Sequence, residues 1–480
     1  MTPSSPINRL ETGVPGLDAV LGGGLPEFSF NLIAGAPGCG KTTLAQQMMF
    51  ALATPKRTAL YLTVLGESAL KMLRYQQQFA FFVPARVNEC IHFVNLAEEA
   101  ATGNLELVLE RVAAEVKARS PAFVFIDSFR SVVLAHGGGH GLEMFLQRLG
   151  MLMASWQATT FLVGEYTLEP ETNPVFTVAD GLIWLHQSVE RNSMVRKIEV
   201  MKMRGQPTLP GLHAFRIAGN GISVFAPASV ELDDARPKLT GRAKLGNARL
   251  DEMLGGGLPR GYSLLVAGPS GSGKSILAAA FLQEGADRGE TGVVAAFELR
   301  TTGARNTRIA ELIATGKVGV VDSRAPDLSI DEIVDLLKKE IRRLDATRVV
   351  VDSLSAFELL LAPTFRKDFR ESMLRLIQAL SHEGVTVLLT SELEDRFIDL
   401  RFSPFGTAFL TDAIVVQRYI EVDSRLRRVM AVVKVRNSEH SDELRAYHID
   451  EHGIHVDEMV TGQEGLLGGQ PSRTSEPRRK

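Results

Sequence analysis

Cysteine is nearly absent from this chain, with only Cys39 and Cys90 among 480 residues. Two cysteines cannot build a disulfide framework, so the fold must rest on buried cores, and a reducing, cytoplasmic setting follows. An excess of either charge is missing as well. The formal net charge is -3, so no global basic field points to nucleic acid, and none is expected as a partner. Apolar runs long enough to span a membrane are also lacking, and Met1-Thr2-Pro3-Ser4-Ser5-Pro6 has none of the basic-then-apolar layout of a signal peptide. No membrane contact is expected. What remains is a composition 45% hydrophobic and 23% charged, that of a globular chain long enough for two or three domains.

Against this background one pattern stands out, and it occurs twice. Gly35-Ala36-Pro37-Gly38-Cys39-Gly40-Lys41-Thr42, continued by Thr43, returns as Gly268-Pro269-Ser270-Gly271-Ser272-Gly273-Lys274-Ser275, continued by Ile276. Both fit G-x-x-x-x-G-K-[ST], the phosphate-cradling P-loop. Each follows an apolar, strand-like run and opens a helical pattern, which is the context the motif requires. Glycines let backbone N–H groups turn onto phosphate oxygens without an intervening Cβ, and the helix N-terminus adds partial positive charge. Lys41 and Lys274 are expected to reach the β/γ-phosphates, and Thr42 and Ser275 to offer a hydroxyl to Mg²⁺. ATP and Mg²⁺ are therefore the expected ligands.

The repetition is not confined to the loops. Leu17-Asp18-Ala19-Val20-Leu21-Gly22-Gly23-Gly24-Leu25-Pro26 returns as Leu250-Asp251-Glu252-Met253-Leu254-Gly255-Gly256-Gly257-Leu258-Pro259, displaced like the P-loops (250 − 17 = 233). The chain therefore reads as a duplicated domain over 1–230 and 239–461, joined by a linker at 231–238 and followed by a tail at 462–480 whose composition predicts disorder. Apolar runs at 58–64, 122–126, 159–163 and 181–186 are predicted strands, answered at 292–297, 348–351, 385–390 and 413–417. Helical spacing is clear over 105–118, 142–156, 330–344 and 368–382. Strands alternating with helices predict an α/β fold with a mainly parallel sheet in each domain, flanked by helices.

Both copies carry acids and cations at matching places. Phe123-Val124-Phe125-Ile126-Asp127 and Val349-Val350-Val351-Asp352 are apolar strands ending in an acid, so Asp127 and Asp352 are expected to hold Mg²⁺. Glu67 and Glu298 follow the next strand after each P-loop helix and are candidates for orienting the attacking water. Glu165 and Glu392 end later strands, as nucleotide sensors or as plain polar strand ends. Lys202-Met203-Arg204 is answered by Lys434-Val435-Arg436. Alternation on a strand puts each pair of cations on one face, where a triphosphate from a neighbouring subunit would relieve their repulsion; the alternative is a solvated basic edge strand. The Gly-rich stretch His136-Gly137-Gly138-Gly139-His140 reads as a surface connection or a pore loop.

Taken together, the Thr12-Gly13-Val14-Pro15-Gly16-Leu17-Asp18 segment with its Gly-rich continuation, both P-loops, both acid-ended strands and both Lys-x-Arg pairs resemble the KaiC family of clock-type ATPases, within the wider RecA-like ATPases. The resemblance implies tandem RecA-like domains, a homo-oligomer in the form of a two-tiered hexameric ring, ATP between adjacent subunits, slow hydrolysis and regulatory protein partners. Clock members also phosphorylate an adjacent Ser-Thr pair of their second domain, within a segment like S-T-I-T-D. Here that segment is Ala408-Phe409-Leu410-Thr411-Asp412, with Thr411 as the remaining hydroxyl. The paired glutamates of clock members are replaced by Leu65-Gly66-Glu67-Ser68 and Phe297-Glu298-Leu299-Arg300. These departures imply an oligomeric ATPase without a timekeeping role. A Ser/Thr autokinase and a RecA-like DNA-binding ATPase are the competing readings.

Overall fold

Each half of the chain folds around its own nine-stranded sheet. The halves form two separate units, Met1–Pro227 and Ala228–Lys480. A computed structural model describes residues 7–64, 69–135, 140–166, 174–190, 193–227, 239–296, 307–322, 328–361, 369–393, 410–422, 424–460, 463–464 and 472–473. The expected linker at 231–238 lies outside the described residues.

In the first unit β1 (Phe30–Gly35) passes through the P-loop into α1 (Lys41–Leu52). There follow β2 (Ala59–Thr63), β3 (Ile91–Asn95), β4 (Phe123–Asp127), β5 (Thr159–Glu165), β6 (Gly181–Glu190), β7 (Ser193–Met203), β8 (His213–Ala218) and β9 (Gly221–Phe225). Across the sheet the order is β9-β8-β7-β6-β1-β5-β4-β2-β3. From β6 to β3 all neighbours are parallel, whereas β6 to β9 form an antiparallel meander.

The second unit repeats this plan. Its strands are β10 (Ser263–Gly268), which leads into α2 (Lys274–Asp287), then β11 (Gly292–Ala296), β12 (Val318–Asp322), β13 (Arg348–Asp352), β14 (Thr386–Glu392), β15 (Ala413–Val422), β16 (Arg425–Val435), β17 (Arg445–Asp450) and β18 (Gly453–Met459). Their order, β12-β11-β13-β14-β10-β15-β16-β17-β18, is that of the first sheet read from the other edge. The chain thus consists of two tandem RecA-like domains.

Burial explains why the central strands were legible as apolar runs. Ile33, Tyr61, Phe125 and Phe161 point to the face covered by Leu44 and Met48 of α1, while Leu32, Leu60, Val124 and Leu162 point to the face covered by Leu109 and Leu146. A strand buried on both faces has no polar side to interrupt its pattern. Two of the covering helices start on side-chain caps: Asn104 accepts from Glu106 N ahead of Leu105–Arg119, and Ser329 from Glu332 N ahead of Ile330–Leu344.

Several expectations need amendment. The edge strands β3 and β12 and the hairpins β8–β9 and β17–β18 add to the strands expected from the sequence. In β3 and the two hairpins polar and apolar residues mix because the strands are partly exposed to water, whereas β12 is a short, largely buried apolar run. Lys202 and Lys434 do lie on strands, but Arg204 and Arg436 follow them in turns. Nor are β7 and β16 edge strands, since each is paired on both sides. In the tail, Gln463–Glu464 pairs antiparallel with Ser472–Arg473, a local closure where composition predicts no regular structure. Among the described residues no helix is long and apolar enough to cross a membrane.

Candidate active site

The P-loops sit where their strands end. Gly38 and Gly271, with φ of 74° and 76°, turn each loop in the left-handed region that favours glycine, and Gly40 and Gly273 (φ 106° and 99°) cap α1 and α2. A Cβ on Gly40 would lie 2.7 Å from Ile217 Cδ1 of β8, and one on Gly273 would lie 2.8 Å from Ile449 Cδ1 of β17. The meander's outer hairpin is thus the wall against which each loop closes. Ala36, Pro37 and Gly38 are exposed, as are Ser270 and Gly271; Cys39 and Ser272 are buried beneath them. Thr43 and Ile276 occupy the third position of their helices.

Both loop lysines fold over their own loop. Lys41 Nζ donates to Ala36 O at 2.7 Å and lies 3.8 Å from Cys39 Sγ. Lys274 Nζ donates to Gly268 O at 2.9 Å and to Pro269 O at 2.8 Å. Neutral carbonyls are weaker partners for an ammonium than phosphate oxygens are, so an incoming anion can displace them. Burial pushes the Cys39 thiol up, against the pull of Lys41.

Strand pairing delivers the acids beside the loops. In the first unit Thr42 Oγ1 donates to Asp127 Oδ2 at 2.8 Å, and Tyr61 Oη donates to the same oxygen at 2.6 Å. Oδ1 is therefore the oxygen left for a cation among the described residues. Burial raises the Asp127 carboxyl above its ordinary value, against the hydrogen bonds from Tyr61 and Thr42 and the nearby charge of Lys41. A hydroxyl and a desolvated carboxylate at one strand end are hard oxygen donors of the kind a divalent cation takes, and the Lys41 ammonium nearby suits the phosphates instead. The Thr42–Asp127 donor set therefore fits Mg²⁺. In the second unit Thr390 Oγ1 donates to Asp352 Oδ1. A cis peptide follows each acid, at Asp127-Ser128 and Asp352-Ser353. Glu165 and Glu392 are exposed, opposite Gly35 and Gly268 in the strand register.

The Lys-x-Arg pairs lie at the other end of the sheet. Arg204 Nη1 is 3.0 Å from Asp180 Oδ1, while Asp180 Oδ2 accepts from Phe30 N at the start of β1. Lys202 Nζ reaches Phe176 O at 3.3 Å and Thr177 O at 3.2 Å, and both burial and Arg204 lower its pKa. The second unit matches: Arg436 is 3.6 Å from Asp412, whose Oδ2 accepts from Ser263 N at the start of β10. Burial and then Arg436 lower the pKa of Lys434. The six residues of β1 separate Phe30 from the P-loop by roughly 17 Å at a strand's rise per residue, beyond the reach of an arginine side chain. A register shift beside each lysine, at Leu182/Ile183 and Ile414/Val415, marks a bulge of the kind that re-aims neighbouring side chains.

Glu67, Glu298 and residues 136–139 lie outside the described residues. The sequence did not reveal the partners of the acids. Tyr61 comes from β2 and Thr390 from β14, so comparing the copies could not pair them. Gln417, which accepts from Ser272 Oγ at 2.9 Å, and Tyr447, which donates to Ser272 O at 2.7 Å, were missed as well. Their strands meet the loop only through sheet pairing.

Comparison with known proteins agrees with this geometry. The family model described as "ATPase: KaiC" matches residues 10–229 and 243–460. A protein of Picosynechococcus sp. named "Circadian clock oscillator protein KaiC" is 26% identical over 97% of this chain and 93% of its own length. One of the same name from Thermostichus vulcanus is 25% identical over 98% of this chain and 93% of its own. The "Circadian clock protein KaiC3" of Synechocystis sp. is 26% identical, covering 98% and 96%. Two matched domains, each with its P-loop, acid and paired cations in the same places, place this chain in the KaiC ATPase family.

Proposed function

We propose that this protein is an Mg²⁺-dependent ATPase that works as a ring of identical chains, with ATP at both P-loops and each site completed by a neighbouring subunit. Lys41 and Lys274 bind the β- and γ-phosphates, and the loop N–H groups orient them. Thr42 with Asp127, and Ser275 with Asp352, would hold Mg²⁺, which when bound offsets the negative charge of the phosphates. Glu67 and Glu298 orient the attacking water. Lys202 with Arg204, and Lys434 with Arg436, stabilise the charge that develops on phosphate bound to the adjacent subunit.

The observation that carries this reading is the placement of each Lys-x-Arg pair a full strand length from its own P-loop. Such cations cannot serve phosphates in their own domain, yet they match in both copies, and an adjacent subunit is where a triphosphate can meet them. The autokinase reading is not favoured, because Thr411 is only 1% exposed. With γ-labelled ATP the label is expected as free phosphate; stoichiometric label on the protein would revive that reading.

Mixing subunits tests the assignment. Arg204→Ala should lower first-domain turnover by about a hundredfold, and Lys41→Ala should abolish nucleotide binding there. A co-assembled 1:1 mixture should recover roughly a quarter of wild-type first-domain turnover, because intact loops then face intact cations across some symmetric interfaces. A mixture that assembles yet gains nothing over its parents would exclude completion in trans.

A further inference from the structure

The hairpin that walls the second P-loop carries a feature on its outer face that the nucleotide chemistry does not use. His448 of β17 pairs directly across the ladder with His455 of β18, and their rings stack at 5.1 Å with 17° between planes. Asp450 lies two residues along from His448 on the same face, and its Oδ1 is 3.0 Å from His455 Nε2. One ligand atom each from His448, Asp450 and His455 lies within 4.8 Å of the others. Asp457 adds a second carboxylate, with Oδ2 3.2 Å from His448 Nδ1. The His452 and Gly453 N–H groups, at 2.8 and 3.1 Å, anchor the Asp450 carboxylate through Oδ1.

We propose that His448, Asp450 and His455 form a binding site for a late first-row divalent cation, of the Zn²⁺ class, and that its occupancy is felt by the second P-loop. Two imidazoles and one carboxylate suit such a cation, with water completing the shell, and suit Mg²⁺ or Ca²⁺ poorly. Donors around tetrahedral zinc lie roughly 3.3 Å apart at bond lengths near 2.1 Å. The exposed side chains need close by no more than about 1.5 Å. Asp457 is placed to orient the His448 ring, as carboxylates commonly do for metal-binding histidines.

The first domain supplies an internal comparison. Its Phe215↔Val224 pair corresponds to Tyr447↔Val456, so Arg216, Ala218, Ser223 and Phe225 stand where His448, Asp450, His455 and Asp457 stand. None of the four is a ligand for such a cation. The inner face, by contrast, is shared: Ile217 and Ile222 pack on Gly40, and Ile449 and Ile454 on Gly273. The hairpin fold therefore needs no histidines, and the donor set belongs to the second domain alone. Tyr447, between the histidine face and the loop, donates to Ser272 O of the P-loop. A cation tying β17 to β18 would thus fix a wall of the nucleotide site, lowering the cost of ordering it.

The test uses the full chain, free of nucleotide, titrated with Zn²⁺ by calorimetry and with Co²⁺ by visible absorption. Wild type should bind one more Zn²⁺ per chain than the His448→Gln/His455→Gln variant and show a tetrahedral Co²⁺ band that the variant lacks. Equal stoichiometry and equal spectra would overturn the site. Coupling is read in a Lys41→Ala background with a fluorescent ATP analogue, and it rests on the second P-loop being a nucleotide site. Zn²⁺ should tighten binding by about fivefold, and the histidine substitutions should remove the effect. Unchanged or weaker binding overturns the coupling. Failure of the analogue to bind with or without Zn²⁺ would instead count against the nucleotide reading, with the Zn²⁺ titration still deciding the metal site.

Discussion

Asp127 shows how one side chain can be unfavourable for folding yet placed for chemistry. Burial raises its carboxyl pKa, so the folded chain keeps that proton to a higher pH than the unfolded chain does. By linkage, the stability associated with this group is fully present below the unfolded carboxylate range and is lost as pH rises through the raised value. Asp127→Asn keeps an oxygen to accept from Thr42 and Tyr61 but cannot ionise. Without nucleotide, it is expected to be more stable than wild type by about 1 kcal/mol at pH 7, with the gap closing toward pH 4. Thermal melts at the two pH values check this, and a gap that widens in acid would refute it. First-domain hydrolysis should be lost in the same variant. The acid itself was legible in the sequence because an apolar strand ending in Asp repeats. Tyr61 and Thr390 were not, because each copy meets its acid from a different strand.

At the level of elements, the two domains hold the start of the sheet with opposite charges. In the first, Arg57 pairs with Glu27 and lies 4.9 Å over the Phe123 ring at the start of β4. In the second, Glu290 pairs with Arg260, and Arg348 replaces the phenylalanine at the start of β13. Arg348 is 1% exposed, 2.6 Å from Glu290, and donates to Lys244 O and Phe281 O. Burial raises the Glu290 carboxyl, but Arg348 and Arg260 bring it below its ordinary value. The stability it supplies is therefore present at neutral pH and lost as pH falls through that lowered value. Glu290→Gln leaves a buried guanidinium without its anion and should cost about 3 kcal/mol. Arg57→Gln, at a partly exposed pair, should cost under about 1 kcal/mol. Urea melts at neutral pH compare them; equal losses would show that burial of Arg348 is not the deciding term.

For the whole molecule, the proposed completion of each site by a neighbouring subunit predicts that nucleotide binding and assembly form one equilibrium. A ligand that bridges subunits stabilises the ring in proportion to its occupancy, by about 2.7 kcal/mol at a hundredfold excess over Kd. Wild type is expected to shift to higher mass on adding ATP, and Lys41→Ala to shift less, when native mass is measured in solution. A Lys41→Ala chain that forms complete rings without nucleotide would break the link.

The sequence by itself determined the duplication, the two P-loops, the acids, the paired cations and the mainly parallel sheets. These are legible because each is a local run of residues whose identity the chemistry or the burial dictates. Only the tertiary structure decided that Lys202 and Arg204 stand a strand's length from their own loop, and that β7 and β16 are interior strands. It also decided that Tyr61 and Thr390 are the partners of the acids, and that His448 faces His455. The acids' partners and the interior place of β7 and β16 depend on pairing beyond a single strand, and the His448–His455 pair depends on the register of its hairpin. Such register is set by the packed core rather than by any one local run of residues.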